Sequence, residues 1–198
     1  MKRIIQPELL LGAYARGIFP MGGNSGGIDW YSPDPRGVIP IEGFHCPHGL
    51  RRALRADWRV SLDRDFATVM RACAARPDTW ISECILDSYA ELHRLGFAHS
   101  VEVWREGELA GGLYGVRLGG AFFGESMFHR SANASKVALY WLVRMLQQGG
   151  FSLLDTQWIT PHLRQFGAFE MPRAVYLQRL TEALERDCVF TFPADAPV

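Results

Sequence analysis

Asp155 and Gln157 stand two apart at the end of an apolar run, Phe151 to Gln157. Residues two apart share a face of a strand, so both polar side chains are expected on one side of a buried strand. The C-terminal edge of such a strand is a common ligand site. The same pair could instead cap a helix starting at Thr160-Pro161. Glu125 is a second candidate. It lies among apolar neighbours in FFGESMFHR, Phe122 to Arg130, where a carboxylate is rarely left unpaired. Alternation is expected to place it on one sheet face with Phe123 and Met127. It can hold a cationic amine, or it can close a salt bridge within the protein. A third constellation is basic. Arg51, Arg52 and Arg55 share one side of a helix expected near Pro47 to Ala56, and Arg59 and Arg64 extend it. Such a face can meet phosphates or simply face water.

Other chemistries fail on their residues. No GxxxxGK[ST] loop and no GxGxxG turn is present, so nucleotide phosphates lack an obvious cradle. His45-Cys46-Pro47-His48 sets two imidazoles three apart without further ligands nearby in sequence, and no metal is expected there. Gly124-Glu125-Ser126-Met127-Phe128 approaches a nucleophile elbow, and Ser126, Asp155 and His162 run in hydrolase order. The last glycine of the elbow is missing, and Ser126 falls inside a strand. A pyrophosphate-binding loop of the coenzyme A kind would read [QR]-x-x-G-x-[GA]. The chain carries Arg130, Asn133 and Ser135 at that spacing, where Asn133 and Ser135 can cap the next helix but crowd the amides. No cofactor is expected.

The elements must position these groups. The chain has 198 residues, 48% of them hydrophobic and 21% charged, with zero net charge. That is enough to bury a core and excludes disorder. It also excludes a whole-domain basic signature, so any RNA contact must be a local patch. No apolar run reaches the ~18 residues of a membrane span. Lys2 and Arg3 could open a leader, but Pro7, Glu8 and Arg16 interrupt its apolar part. The four cysteines form no CxxC pair and read as reduced thiols of a cytoplasmic protein.

Pro7 to Gly17 reads as a short helix. The Gly- and Pro-rich stretch from Ile18 to Pro40 reads as an ordered loop around Phe19, Trp30 and Tyr31. Arg59 to Leu62 reads as a strand. Asp63 is expected to cap a helix through Cys73, and Ser82 another ending at Gly96. Ser100 to Arg105, Glu108 to Leu118 and Ala121 to Phe128 form an expected antiparallel meander with Gly-containing turns. A helix over Ala134 to Gln148, the Phe151 to Gln157 strand, a helix from Pro172 to about Arg186 and a strand over Cys188 to Phe192 follow. The order implies an α/β fold: a mixed, largely antiparallel sheet with flanking helices, like that of the GNAT acetyltransferases. A small N-terminal lobe, residues 1–36, is expected beside a main domain, residues 37–198.

Several runs resemble the leucyl/phenylalanyl-tRNA–protein transferases. They begin with Leu9-Leu10, Gly12, Tyr14 and Gly17-Ile18-Phe19-Pro20. Trp30-Tyr31-Ser32-Pro33-Asp34-Pro35-Arg36 follows, then Thr79-Trp80-Ile81 and His99 to Trp104. Next come Gly111 to Val116, Phe122 to Phe128 and Asn133 to Lys136. Leu154-Asp155-x-Gln157, His162-Leu163, Phe166-Gly167-Ala168 and Pro172-Arg173 complete the set.

The resemblance implies an enzyme that moves Leu or Phe from charged tRNA onto the N-terminal amine of proteins beginning with Arg or Lys, which marks them for degradation. It implies Asp155 and Gln157 in catalysis. Leu113, Phe122, Leu139 and Leu154 would line the side-chain pocket, and Met127 and Trp80 would lie near the aminoacyl-adenosine. Glu125 would bind substrate, and the region of Arg51, Arg52 and Arg55 would meet the acceptor stem. A monomer is expected. The chain departs from many members in two ways: it begins close to the first signature, and Met21 stands where they carry Trp. A related transferase with another acceptor preference, a coenzyme A-dependent acetyltransferase and a non-catalytic RNA-binding module are the competing readings.

Overall fold

The computed structural model describes residues 4–23 and 26–197. Lys2 and Arg3, weighed above as a leader start, lie outside them. The chain opens with α1 (Pro7–Tyr14). Proline suits its first turn because that N–H has no helical partner. Gly17 follows at φ 71, and a Cβ there would meet the Tyr176 ring at 2.8 Å. Only glycine lets the chain turn this close to another helix.

The stretch from Ile18 to Pro40 is not a loop. It holds β1 (Phe19–Gly22), β2 (Ile28–Tyr31) and β3 (Arg36–Ile39). The first two make an antiparallel hairpin with Phe19 opposite Tyr31. Strands of four residues between glycines and prolines are too short for a visible period. β3 owes its pairing to partners far along the chain. It begins at Arg36, where the N-terminal lobe was expected to end, and pairs within the main sheet.

The rest follows as α2 (His48–Ala53), β4 (Arg59–Leu62), α3 (Phe66–Ala74), α4 (Glu83–Arg94), β5 (Ala98–Arg105), β6 (Glu108–Leu118) and β7 (Ala121–His129). Then come α5 (Ala134–Gln148), β8 (Leu153–Gln157), α6 (Pro161–Arg164), β9 (Phe169–Met171) and α7 (Arg173–Leu184). Ser82 caps α4, as expected. The cap of α3 is Asp65, which accepts the Thr68 N–H at 3.1 Å. Asp63 instead sits at φ 58 and accepts the Ser100 N–H at 2.8 Å. Asn133 starts α5 in a left-handed conformation, φ 70, with no side-chain cap. Cys188 to Phe192 forms no strand. Its alternate residues Cys188 and Phe190 are buried in the core, so side-chain packing rather than a ladder holds it. All four cysteines are free thiols.

Seven strands form one sheet in the order β4-β5-β6-β7-β8-β3-β9. β7 and β8 are parallel, joined by the α5 crossover, and every other pair is antiparallel. The mixed, mostly antiparallel α/β sheet is the one expected. One face packs on α2 and α5, through Leu50, Leu139 and Leu142. The other packs on α1, α3, α4 and α7, through Tyr14, Val69, Tyr89 and Tyr176. Burial of each of the aliphatic side chains, Leu50, Val69, Leu139 and Leu142, stabilises the fold by about 1.5–3 kcal/mol. No helix of the described residues is long and apolar enough to cross a membrane.

Candidate active site

The parallel strands β7 and β8 pair only from Ala121↔Leu153 to Phe123↔Asp155, yet β7 runs on to His129. Two local irregularities part them. On β7, Tyr114 pairs with Ser126 but Gly115 with Gly124, so Glu125 is an extra, bulged residue. On β8, the pairing with β3 skips Thr156, and Gln157 adopts φ 59. Between the parted strands lies a cavity of about 340 Å³. Its apolar lining includes Ile39, Leu113, Leu139, Leu142 and Leu154. Its polar lining includes Tyr114, Glu125, Ser126, Thr156, Gln157 and His162. Phe19, Met21, Trp80, Met127 and Trp158 also line it.

Glu125 has two hydroxyl partners. Its Oε1 accepts from Tyr14 at 2.7 Å and its Oε2 from Tyr89 at 3.4 Å, and the two tyrosines also hydrogen-bond each other. No ion pair forms at it among the described residues, so the internal salt bridge weighed above is not its role. Burial pushes its carboxyl up to about 8; the Tyr14 hydrogen bond opposes this and the Asp155 charge adds to it. The bulge also overturns the expected alternation. Phe123 packs with Tyr14 on one face and Met127 packs on the other, while Glu125 reaches the Tyr14 side.

Asp155 and Gln157 also part. Asp155 is fully buried and does not line the cavity. Its Oδ1 accepts from Arg36 Nε at 2.9 Å and from the Gln157 N–H at 2.8 Å; its Oδ2 accepts from Arg36 Nη2 at 2.6 Å and from Tyr176 at 2.7 Å. The left-handed backbone of Gln157 breaks the period of two, so its amide lines the cavity instead. Capping of α6 belongs to Thr160, whose Oγ1 accepts the Leu163 N–H at 3.3 Å.

Three buried polar side-chain atoms of the described residues have no partner: Tyr114 Oη, Thr156 Oγ1 and Gln157 Nε2. All three residues line this cavity. Buried polar groups are nearly always satisfied, so three orphans among the lining of one cavity set it apart from the rest of the core. Burial, with the nearby Glu125 charge, raises the pKa of Tyr114 and keeps it a neutral donor. Burial, with Lys136 and His129 adding to it, holds His162 below its ordinary value. Ser126 accepts from Arg76 Nη2 at 2.6 Å. With Ser126 held by Arg76 and Asp155 by Arg36, no hydrolase triad assembles.

Of the side chains expected in the pocket, Leu113, Leu139, Leu154, Met127, Trp80 and Glu125 line the cavity. Phe122 does not. It is fully buried behind the wall, with its ring 5.4 Å from that of Phe190. Tyr114, Thr156 and Arg76 were missed. The first two lie inside motifs quoted above, but nothing in a strand's periodicity tells an orphaned hydroxyl from a bonded one.

Arg51 and Arg52 stand exposed on α2, which is shorter than expected. Arg55 is exposed two residues beyond its end, and its N–H meets the Arg52 carbonyl at 3.2 Å. α2 buries Leu50 in the core and packs against α5, the helix that carries Leu139 and Leu142. Arg64 lies over the Trp104 ring at 4.5 Å. His45 and His48 are exposed. Among the described residues no group of three or more His, Cys, Asp or Glu could hold a metal ion.

The profile of the leucyl/phenylalanyl-tRNA protein transferase family matches residues 38–181, and that of its N-terminal domain matches residues 3–34. A protein of Salinibacter ruber named leucyl/phenylalanyl-tRNA–protein transferase is 56% identical over 183 residues, 91% of this chain and 81% of its own. One of the same name from Herpetosiphon aurantiacus is 51% identical, covering 97% of this chain and 100% of its own. Among solved structures, L-PGS from Bacillus licheniformis is 13% identical with a TM-score of 0.47, covering 92% of this chain and 72% of that one. A ribosomal-protein-alanine N-acetyltransferase from Brucella melitensis is 14% identical with a TM-score of 0.40, over 62% and 90%. The chain belongs to the leucyl/phenylalanyl-tRNA protein transferase family.

Proposed function

We propose that the cavity receives the aminoacyl end of Leu-tRNA or Phe-tRNA and passes the amino acid to the N-terminal amine of proteins beginning with Arg or Lys, marking them for degradation in the cytoplasm. The observation that carries this reading is the set of orphaned polar groups, Tyr114, Thr156 and Gln157, beside an apolar wall. An aminoacyl ester has the same two halves. Its side chain fits against Leu113, Leu139, Leu142 and Leu154, and its polar carbonyl falls among the orphans. The acceptor nitrogen attacks that carbonyl, the new C–N bond forms, and the C–O bond to the ribose breaks. The departing ribose oxygen leaves as a hydroxyl, taking up the proton that the amine gives up.

The ester is already activated, so positioning supplies much of the rate. The Gln157 amide carries a donor for the ester carbonyl and an acceptor for the amine. Glu125 faces the cationic acceptor, whose charge favours the ionised carboxylate. Asp155, enclosed by Arg36 and Tyr176, acts on Gln157 rather than on substrate. Arg51, Arg52 and Arg55 meet the acceptor stem through its phosphates. Met21 and Trp80 flank the terminal adenosine, where methionine packs on the base without stacking as an aromatic ring does.

Labelled Phe carried on tRNA, mixed with the protein and a peptide beginning with Arg, tests the reading. Label entering the peptide is expected, with little entering a peptide that begins with Asp. No transfer of either Phe or Leu would overturn it.

A further inference from the structure

Arg36 is among the largest fully buried side chains of the protein. Burial works against its charge, and the hydrogen bonds and charge of Asp155 more than offset this. It spends every arm of its guanidinium on something that shapes the cavity. Nε and Nη2 grip both oxygens of Asp155, and Nη1 donates to the Gly17 carbonyl at 2.8 Å. Its flat face lies between two rings, 4.5 Å from Tyr176 and 5.0 Å from Phe19. Phe19 and Gln157 both line the cavity, and Arg36 does not. Asp155, held from behind, accepts the Gln157 N–H, and that bond locks the left-handed bend which turns the Gln157 amide inward. A non-glycine residue resists this conformation, so something must hold it there.

We infer that Arg36 is a positioning residue for aminoacyl transfer, acting through Asp155 on the Gln157 amide and through Gly17 and Phe19 on the wall that β1 contributes. The inference rests on the function proposed above. It also assigns Asp155 a role by geometry: the carboxylate is a strut, and its negative charge serves to match Arg36.

Arg36→Lys keeps the charge but cannot span both Asp155 oxygens and the Gly17 carbonyl together. About a tenfold lower kcat is expected, with the KM for Phe-tRNA within about twofold, because misplacement of a catalytic group slows the step without weakening donor binding. The side-chain amide resonance of Gln157 in a nitrogen-15 spectrum should shift. Asp155→Asn alone leaves Arg36 unmatched and should lose activity. Arg36→Met with Asp155→Asn removes both charges while the Asn oxygen still accepts the Gln157 N–H, and should recover activity over Asp155→Asn. Where these variants fail to fold by thermal melting, Tyr176→Phe removes one strut and should lower kcat with KM unchanged. Wild-type kcat in Arg36→Lys, or in Tyr176→Phe when it is the variant that folds, would overturn the inference. So would a folded double variant no more active than Asp155→Asn, which would mean that the carboxylate charge itself takes part. If the wild-type protein transfers nothing, the proposed function fails and the Gln157 resonance decides alone: a shift in Arg36→Lys supports the positioning role, and an unshifted resonance refutes it.

Discussion

Replacing Glu125 by Gln should make the protein more stable at pH 8 and nearly unchanged at pH 4. The carboxyl has its pKa raised from the ordinary 4.5 to about 8, first by burial. A carboxyl whose pKa is higher in the folded state takes up a proton on folding. Stability is then full below about 4.5 and declines as pH rises towards about 8. At ~1.36 kcal/mol per pH unit, the whole interval amounts to about 5 kcal/mol. Glu125 borders an open cavity, and water there screens part of the cost, so about 2–4 kcal/mol is expected. Glutamine keeps the shape and can still accept from Tyr14, but it does not titrate. Urea unfolding midpoints of the two proteins, measured at half-unit steps from pH 4 to 9, check this. The gap should open above pH 4.5, widen to about pH 8 and then level off. Parallel profiles, or a variant less stable at pH 8, would refute the reasoning and mean that Tyr14 and Tyr89 keep the carboxylate ionised throughout. With the proposed acceptor, the same variant should raise the KM for a peptide beginning with Arg.

Leu139→Phe narrows the cavity that Leu139 lines and should lower kcat/KM about tenfold or more for Phe-tRNA, and less for Leu-tRNA, since a filled pocket excludes the larger side chain first. Equal losses for both donors would place the side chain elsewhere. Changing Arg51, Arg52 and Arg55 together to Ala should weaken charged-tRNA binding and reduce the slope of log affinity against log salt by about 2–3, at ~0.7–0.9 for each lost phosphate contact; titrations at several salt concentrations read it. Gly37→Ala would set a Cβ 2.8 Å from the Trp158 carbonyl carbon and 2.9 Å from Ile159. A loss of about 1–3 kcal/mol in urea unfolding is expected, with lower transfer because the bend at Gln157 must shift.

The meander and the α5 helix were legible because they repeat. Leu113, Leu139 and Leu154 could be read as apolar positions of regular elements, and only the family resemblance set them in a pocket. Ser82 could be read as a cap, since a cap acts within one turn of its own helix. Where the regular period fails, the site begins. The bulge at Glu125 and the left-handed turn at Gln157 each shift one residue out of step. Inference from a period of two therefore grouped Glu125 with Met127, and Asp155 with Gln157, on shared faces.

Residue types and their spacing determined the family, the antiparallel meander and the α5 crossover helix. Tertiary structure alone decided what the polar residues meet. Asp155 meets Arg36 across 119 positions of chain, and Glu125 meets Tyr14 across 111. No local pattern encodes such a meeting, because it depends on which strand falls beside which. The same holds for Tyr114, Thr156 and Gln157. A hydroxyl or an amide stands without a partner only where the fold buries it away from one.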